Sequence, residues 1–166
     1  MHIIKLILRN GFILLIPILV WNLIFTSNLP LAYEQKSFDS NIPIFLLIGE
    51  NIFRIIVFIF PILLKINISA SNGKLGLLIY GFGSMLYYIS WLMLIYAPNS
   101  FWSTSEIGFT APAYPPLIWL IGIGLMADSY YFKLSYIKWH FIIPSILFAL
   151  FHITHTYLVF LRTKNL

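Results

Sequence analysis

Two charged side chains lie within an apolar stretch of this sequence that is long enough to cross a membrane. Glu50 and Arg54 are four residues apart, which places them on one face of a helix in the order that favours an ion pair. Asn51 follows Glu50 directly. An unpaired Arg at the centre of a membrane helix costs about 2.5 kcal/mol or more, so these charges must be paired, hydrated or used in function. The segment predicts either a site for a polar ligand or an ion pair that fixes the helix to its neighbours.

A second apolar stretch, near the end of the chain, contains two histidines. His152 and His155 are three residues apart and therefore share one side of a helix. Imidazole titrates near neutral pH, so the pair suits a proton relay or a pH-sensitive ligand site, with plain hydrogen bonds between helices as the alternative. Together with Glu50 the pair would form a two-histidine, one-carboxylate metal set. A haem needs two histidines that face each other, and neither His2 nor His140 lies opposite the pair, so we assign no metal ligands and leave a haem or metal cofactor open.

The composition predicts the elements that carry these residues. Of 166 residues, 60% are hydrophobic and 9% are charged, whereas soluble domains are about half apolar and a quarter charged. Five apolar stretches, each about 20 residues long as a membrane helix requires, leave room only for short loops. The sequence predicts an all-α fold, a polytopic membrane protein whose five-helix transmembrane bundle forms one domain, residues 1–166. The predicted spans are residues 6–25, 43–64, 75–97, 113–132 and 139–161.

Residue types and motifs exclude several kinds of chemistry. The chain has no cysteine, which rules out disulfides, thiolate nucleophiles, iron–sulfur clusters and cysteine-bound zinc. It contains neither a phosphate-binding glycine loop nor a nucleophile-elbow motif. No run of Lys and Arg is present to follow a phosphate backbone, so we expect no nucleic-acid partner. We expect the first span to be retained, because residues 22–32 offer no small-residue site for a signal peptidase.

Basic residues near the ends of the spans predict the orientation, because cytoplasmic loops are enriched in Lys and Arg. With a cytoplasmic N-terminus, six of them lie inside, namely Lys5, Arg9, Lys65, Lys74, Lys133 and Lys138. Three lie outside, namely Lys36, Arg162 and Lys164. The N-terminus is therefore predicted to be cytoplasmic and the C-terminus to be outside. The many Ile, Phe, Asn and Lys residues are typical of an AT-rich genome, which points to the plasma membrane of a bacterium.

The charged residues and the histidines are predicted to lie at one depth in the membrane. Counted at about 1.5 Å per residue from the outer ends of their spans, Glu50 and His155 both lie about 10 Å deep. On the same count Arg54 lies about 16 Å deep and His152 about 14 Å deep. Tyr87 of the third span belongs to this layer. Because such groups face protein or water rather than lipid, we predict a polar cavity in the outer half of the bilayer.

Small residues recur every seven positions along the third span, at Gly76, Gly83, Ser90 and Ala97. Small side chains allow another helix to approach closely along the height of the membrane. Gly122 and Gly124 in the fourth span are the predicted partners of this face.

The polar layer is the predicted functional site. It consists of Glu50, Asn51, Arg54, Tyr87, His152 and His155. We predict that it binds or conducts a small ligand or protons, with Arg54 attracting an anionic group and Glu50 balancing that charge. The histidines would respond to pH, and Tyr87 would supply a hydrogen bond.

Two other functions remain open at this point. An intramembrane enzyme acting on a lipid or isoprenoid would use Glu50 and His152 as acid and base. An accessory subunit of a membrane complex would bind a membrane-protein partner and satisfy all its polar groups internally. We assign no catalytic residue and favour a non-catalytic role. The partners expected from the first prediction are the lipid bilayer and a small ligand.

Overall fold

The computed structural model describes residues 9–164 of the chain and is mostly helical, which confirms the predicted all-α class. Within these residues five helical segments are long and apolar enough to cross a membrane, at Gly11–Asn28, Ile44–Leu63, Ser71–Tyr96, Glu106–Met126 and Trp139–Lys164. The main α-helices of the five segments are α1 (Ile16–Phe25), α2 (Ile44–Ile59), α3 (Ser71–Tyr96), α4 (Pro115–Met126) and α5 (Trp139–Lys164).

Short elements complete these segments and connect them. Turns of 3-10 helix lie at Gly11–Leu15, Thr26–Asn28, Leu31–Tyr33, Phe60–Leu63 and Ala111–Ala113. Short α-helical turns lie at Gln35–Phe38, Phe101–Thr104 and Glu106–Thr110. Two short strands, β1 (Leu64–Ile66) and β2 (Ala127–Tyr130), pair antiparallel.

The predicted and observed segment ends differ most at the fourth segment. The sequence predicts that this segment starts at residue 113, whereas in the structure it begins at Glu106. The Ser105 hydroxyl caps the first turn by accepting a hydrogen bond from the Gly108 amide at 3.1 Å. The segment ends at Met126 rather than at residue 132, because the chain then enters β2. The predicted start of the first span, residue 6, lies outside the described residues, as do Lys5 and His2.

Helices α3 and α4 pack with their backbones in close contact, as the spacing of small residues predicts. A Cβ added to Gly122 would lie 2.6 Å from the Tyr80 amide nitrogen and 2.7 Å from the Gly76 carbonyl oxygen, so neither helix tolerates a side chain there. Gly83 lies equally close to the backbone of Trp119. Gly124, however, is a wrong partner assignment: it faces Ile142 of α5 instead, since two residues further along α4 turn its surface by about 200°.

Helices α2 and α5 form the second close pair, and α1 is attached to α3. Gly49 of α2 leaves room for the ring of Phe151 of α5. The hydroxyl of Tyr80 donates a hydrogen bond to the Leu14 carbonyl at 2.7 Å, and the ring of Tyr88 packs on that of Trp21 with centroids 4.4 Å apart. These contacts hold α1 against α3.

At one end of the bundle, called here the sheet end, β1 and β2 hold the helices together. Lys65 pairs with Ser129, and the Ile66 amide donates to the Arg9 carbonyl at 2.7 Å. The Asn10 side chain donates to the Ile62 carbonyl at 2.8 Å. This sheet was not predicted, because residues 65–74 resemble a polar turn and the strands are too short to show a two-residue alternation.

At the opposite end, called here the loop end, residues 26–42 fold over the bundle between α1 and α2. Arg162 near the end of α5 donates to the carbonyl oxygens of Ser37 and Ser40. The Tyr33 hydroxyl donates to the Phe109 carbonyl. Burial, with a smaller contribution from Tyr114, raises the pKa of Tyr33 above its ordinary value, so this hydroxyl keeps its proton and its hydrogen bond at neutral pH.

The α3–α4 contact predicts a position-specific loss of stability. Gly122→Ala should lower the free energy of unfolding by roughly 1–3 kcal/mol, because the new methyl group meets backbone atoms that cannot move aside. Gly81→Ala is the matched control, since nothing lies within 4 Å of the Cβ position there. Thermal unfolding in detergent checks this, and equal melting temperatures for the two variants would contradict the packing described.

The Arg162 contacts predict how the loop end opens. Arg162→Gln should increase amide hydrogen exchange in residues 35–41 by about fivefold or more, because two hydrogen bonds from a charged donor are lost. Lys164→Gln removes a charge from the same helical turn, at an exposed side chain, and should leave exchange unchanged. Equal exchange in both variants would mean that Arg162 does not hold the loop.

Candidate functional site

The carboxylate of Glu50 lies at the centre of a group of hydrogen-bond donors from two helices. Its side chain is buried, with the whole residue only 1% exposed. Oε1 accepts hydrogen bonds from Arg54 of the same helix and from Nδ1 of His152 of α5, the latter at 2.9 Å. Oε2 lies 2.6 Å from Nδ1 of His155. The helical spacings explain the arrangement: Glu50 and Arg54 are four residues apart on α2, and the two histidines are three apart on α5.

His155 links this cluster to the loop end. Its Nδ1 faces Glu50, and its Nε2 lies 3.1 Å from the Phe38 carbonyl oxygen. A carbonyl and a carboxylate only accept hydrogen bonds, so His155 can donate to both at once only when each of its ring nitrogens carries a proton. The carboxylate of Asp39, at 3.9 Å from Nε2, adds a favourable charge on the loop side.

His152 has a different environment from its neighbour. Its Nδ1–H is held by Glu50, and its ring stacks on Phe148 with centroids 5.4 Å apart and planes 8° apart. Its Nε2 has no hydrogen-bond partner among residues 9–164. Because Nδ1 donates to the carboxylate, Nε2 is left free to accept a hydrogen bond in the neutral ring or to donate one when the ring is protonated.

A cavity of about 650 Å³ lies beside this cluster, in the size range of sites that bind small molecules. All five helical segments and the loop of residues 26–42 contribute to its wall, which is mainly apolar. The polar residues of the wall are Asn22, Thr26, Tyr33, Gln35, Arg54, Tyr87, His152 and Thr156.

The six residues predicted as the site take three different positions. Arg54, Tyr87 and His152 line the cavity. Glu50 and His155 lie behind that wall and are buried. The sixth, Asn51, is exposed and accepts a hydrogen bond from Nη1 of Arg54 at 3.2 Å.

Tyr87 does not contact the Glu50 cluster. Its hydroxyl donates to Oδ1 of Asn22 at 2.7 Å and so joins α3 to α1 across the cavity wall. Asn22 was not among the predicted site residues, although an amide within an apolar span is itself an indication of a polar contact. Trp119 was also missed: it lines the cavity, and its buried Nε1 has no hydrogen-bond partner in the part of the chain that the structure describes.

The geometry around Glu50 favours hydrogen bonding over metal ligation. Within residues 9–164 no group of three or more His, Asp or Glu side chains is arranged to hold a metal ion. Both Nδ1 atoms contact carboxylate oxygens directly, at 2.6 and 2.9 Å, which closes the space that a metal would occupy between them. The Arg54 guanidinium at the same oxygen would repel a cation.

No protein-family model matches this chain, and comparison with curated proteins and with solved structures also finds no match.

The cluster predicts that removing the buried carboxylate of Glu50 lowers the free energy of unfolding far more than removing an exposed carboxylate does. Glu50→Ala should lower the free energy of unfolding by about 3 kcal/mol or more, because Arg54 and the histidines lose their common acceptor while partly buried. Glu106→Ala, at an exposed position in the first turn of its helix, should cost under about 1 kcal/mol. Chemical unfolding in mixed micelles measures both. Equal stabilities would show that the cluster does not hold α2 to α5.

Proposed function

We propose that this chain is an integral membrane protein of five spans whose cavity binds a small ligand. Five helical segments of suitable length and composition support the membrane location. The distribution of Lys and Arg supports a cytoplasmic N-terminus and an external C-terminus in the plasma membrane of a bacterium. In this orientation the loop end faces outward, and the cavity lies in the outer half of the bilayer.

The observation that carries the proposal is the position of Arg54 and His152. Both line the cavity, and both are fixed from behind by the same oxygen atom of buried Glu50. An ion pair that served only to join helices would need no cavity beside it. Here both carboxylate oxygens already have hydrogen-bond donors, while unused donor and acceptor positions of Arg54 and His152 remain available at the cavity wall.

The cluster also supports an exchange of protons between the cavity and the outside. Asp39, His155, Glu50 and His152 follow one another at 3.9, 2.6 and 2.9 Å, from the exposed loop to the cavity wall. Conduction across the whole membrane would need a comparable path to the sheet end, where the cavity wall consists of apolar residues such as Phe58 and Trp119. We therefore propose ligand binding coupled to protonation rather than proton conduction.

A second candidate is an intramembrane enzyme acting on a lipid or isoprenoid, with His152 as the general base. The free Nε2 of His152, oriented through Nδ1 by a carboxylate, is the arrangement that favours it. Glu50 would orient the histidine rather than act as an acid on the substrate, because it does not reach the cavity wall.

The proposal predicts a bound molecule that depends on the cavity. Protein extracted gently and analysed by native mass spectrometry should carry a small molecule at near one-to-one stoichiometry. Ile55→Trp should reduce its occupancy about tenfold, because Ile55 lines the cavity and a larger side chain fills it. Ile52→Trp is the matched control on the same exposed side of α2, since Ile52 does not line the cavity.

Three outcomes separate the functions. A molecule lost from Ile55→Trp and kept in Ile52→Trp supports ligand binding. Recovery of a substrate together with its reaction product would favour the enzyme. An empty cavity with a constant larger protein partner would contradict the proposal and favour an accessory subunit of a membrane complex.

A further inference from the structure

The cavity wall exposes a cation at one place, while the carboxylate that pairs with this cation is hidden. Arg54 lines the cavity, and Glu50, which accepts a hydrogen bond from its guanidinium, is buried behind the wall. The other carboxylate near the cluster, that of Asp39, lies on the far side of His155 and does not line the cavity. A guanidinium has five N–H donors, and the contacts of Arg54 to Glu50 and Asn51 leave others unused. An anionic group in the cavity would be stabilised here.

One helical turn further towards the sheet end, the wall becomes apolar. Phe58 lies four residues after Arg54 on α2, and its ring meets that of Trp119 edge to face, with centroids 6.5 Å apart. Ile18 and Ile59 also line this part of the cavity. A ligand that fills the cavity therefore meets charge at one end and hydrocarbon over the rest of its length.

The cavity reaches the outer surface of the bundle between α1 and α2. Leu19 of α1 and Ile55 and Ile59 of α2 line it, and the same residues are exposed to 37%, 58% and 56%. Hydrogen bonds hold α1 to α3 through Tyr80 and Tyr87. In a membrane this side faces lipid, so an apolar molecule can enter from the bilayer without crossing water.

We propose that the ligand is a single-chain amphiphile with an anionic headgroup, either a carboxylate or a phosphate monoester, drawn from the membrane. The headgroup binds at Arg54 and at Nε2 of His152, which donates a hydrogen bond to the anion when the imidazole is protonated. The hydrocarbon chain lies along Phe58 and leaves between α1 and α2. This inference rests on the proposed function, to which it adds the chemical class of the ligand and its route of entry.

The test compares probes that share one chain and differ in headgroup. Purified protein in phosphatidylcholine nanodiscs is titrated with hexadecanoate, hexadecyl phosphate, hexadecanol and hexadecyltrimethylammonium, and partition into empty nanodiscs is subtracted. At least one of the two anions should bind about tenfold or more tightly than the alcohol, and the cation should not bind specifically. The preferred anion distinguishes a carboxylate from a phosphate ligand. Equal affinity for the alcohol and both anions would overturn the inference.

Variants of Arg54 locate the headgroup. Arg54→Gln should reduce anion affinity to that of the alcohol, a loss of about tenfold, while Arg54→Lys should retain most of the preference because it keeps the charge. Lys74→Gln, which removes an exposed charge at the sheet end, is the control and should bind as the wild type does. Undiminished anion preference in Arg54→Gln would overturn the assigned headgroup position. If Arg54→Gln does not fold, the affinities of Arg54→Lys and of the wild type for the four probes still show whether the cavity prefers an anion.

Ile55→Trp separates failure of this inference from failure of the proposed function. If headgroups are not distinguished but Ile55→Trp still weakens every probe, the cavity binds ligands and only the anionic class is wrong. If no probe binds above the empty nanodiscs and Ile55→Trp retains the co-purified molecule, both proposals are wrong.

Discussion

Burial of the Glu50 carboxylate is the constraint on which the rest of this structure depends. A carboxylate removed from solvent is tolerated only with several donors, and here they come from its own helix through Arg54 and from α5 through His152 and His155. Meeting that requirement fixes the rotation of α2 against α5, and Gly49 permits the approach by leaving room for an aromatic ring of α5.

The same requirement produces the asymmetry of the site. Oε1 of Glu50 is held by Arg54 and His152 of the cavity wall, and Oε2 by the buried His155, so the negative charge is hidden. The guanidinium of Arg54 and the second nitrogen of His152 remain at the cavity wall. His155 connects Glu50 to the loop over the bundle, since its second nitrogen contacts the backbone carbonyl of Phe38 in that loop. Cavity wall, carboxylate and loop therefore form one connected unit, in which a change of protonation at one member is felt by the others.

The remaining contacts hold this unit in place. Close packing of α3 on α4 at Gly76 and Gly122 holds together the two helices that carry Tyr87 and Trp119 of the cavity wall. At the sheet end, the two-stranded sheet joins the chain after α2 to the chain after α4. The first segment is different, because side-chain hydrogen bonds from tyrosines of α3 attach it while its side towards α2 borders the cavity. The cavity meets the surface of the bundle on this side of α1, next to α2.

The sequence by itself determined what depends on local periodicity and composition. Five apolar segments, the shared faces of Glu50 with Arg54 and of His152 with His155, and the small-residue face of α3 all follow from helical spacing. The tertiary structure alone decided which side chains meet across helices, since this depends on how each helix is rotated and where the chain leaves it. In the tertiary structure the two histidines have different partners, and Tyr87 donates to Asn22 rather than to the charged cluster. Gly124 faces α5, and two short strands pair at the sheet end.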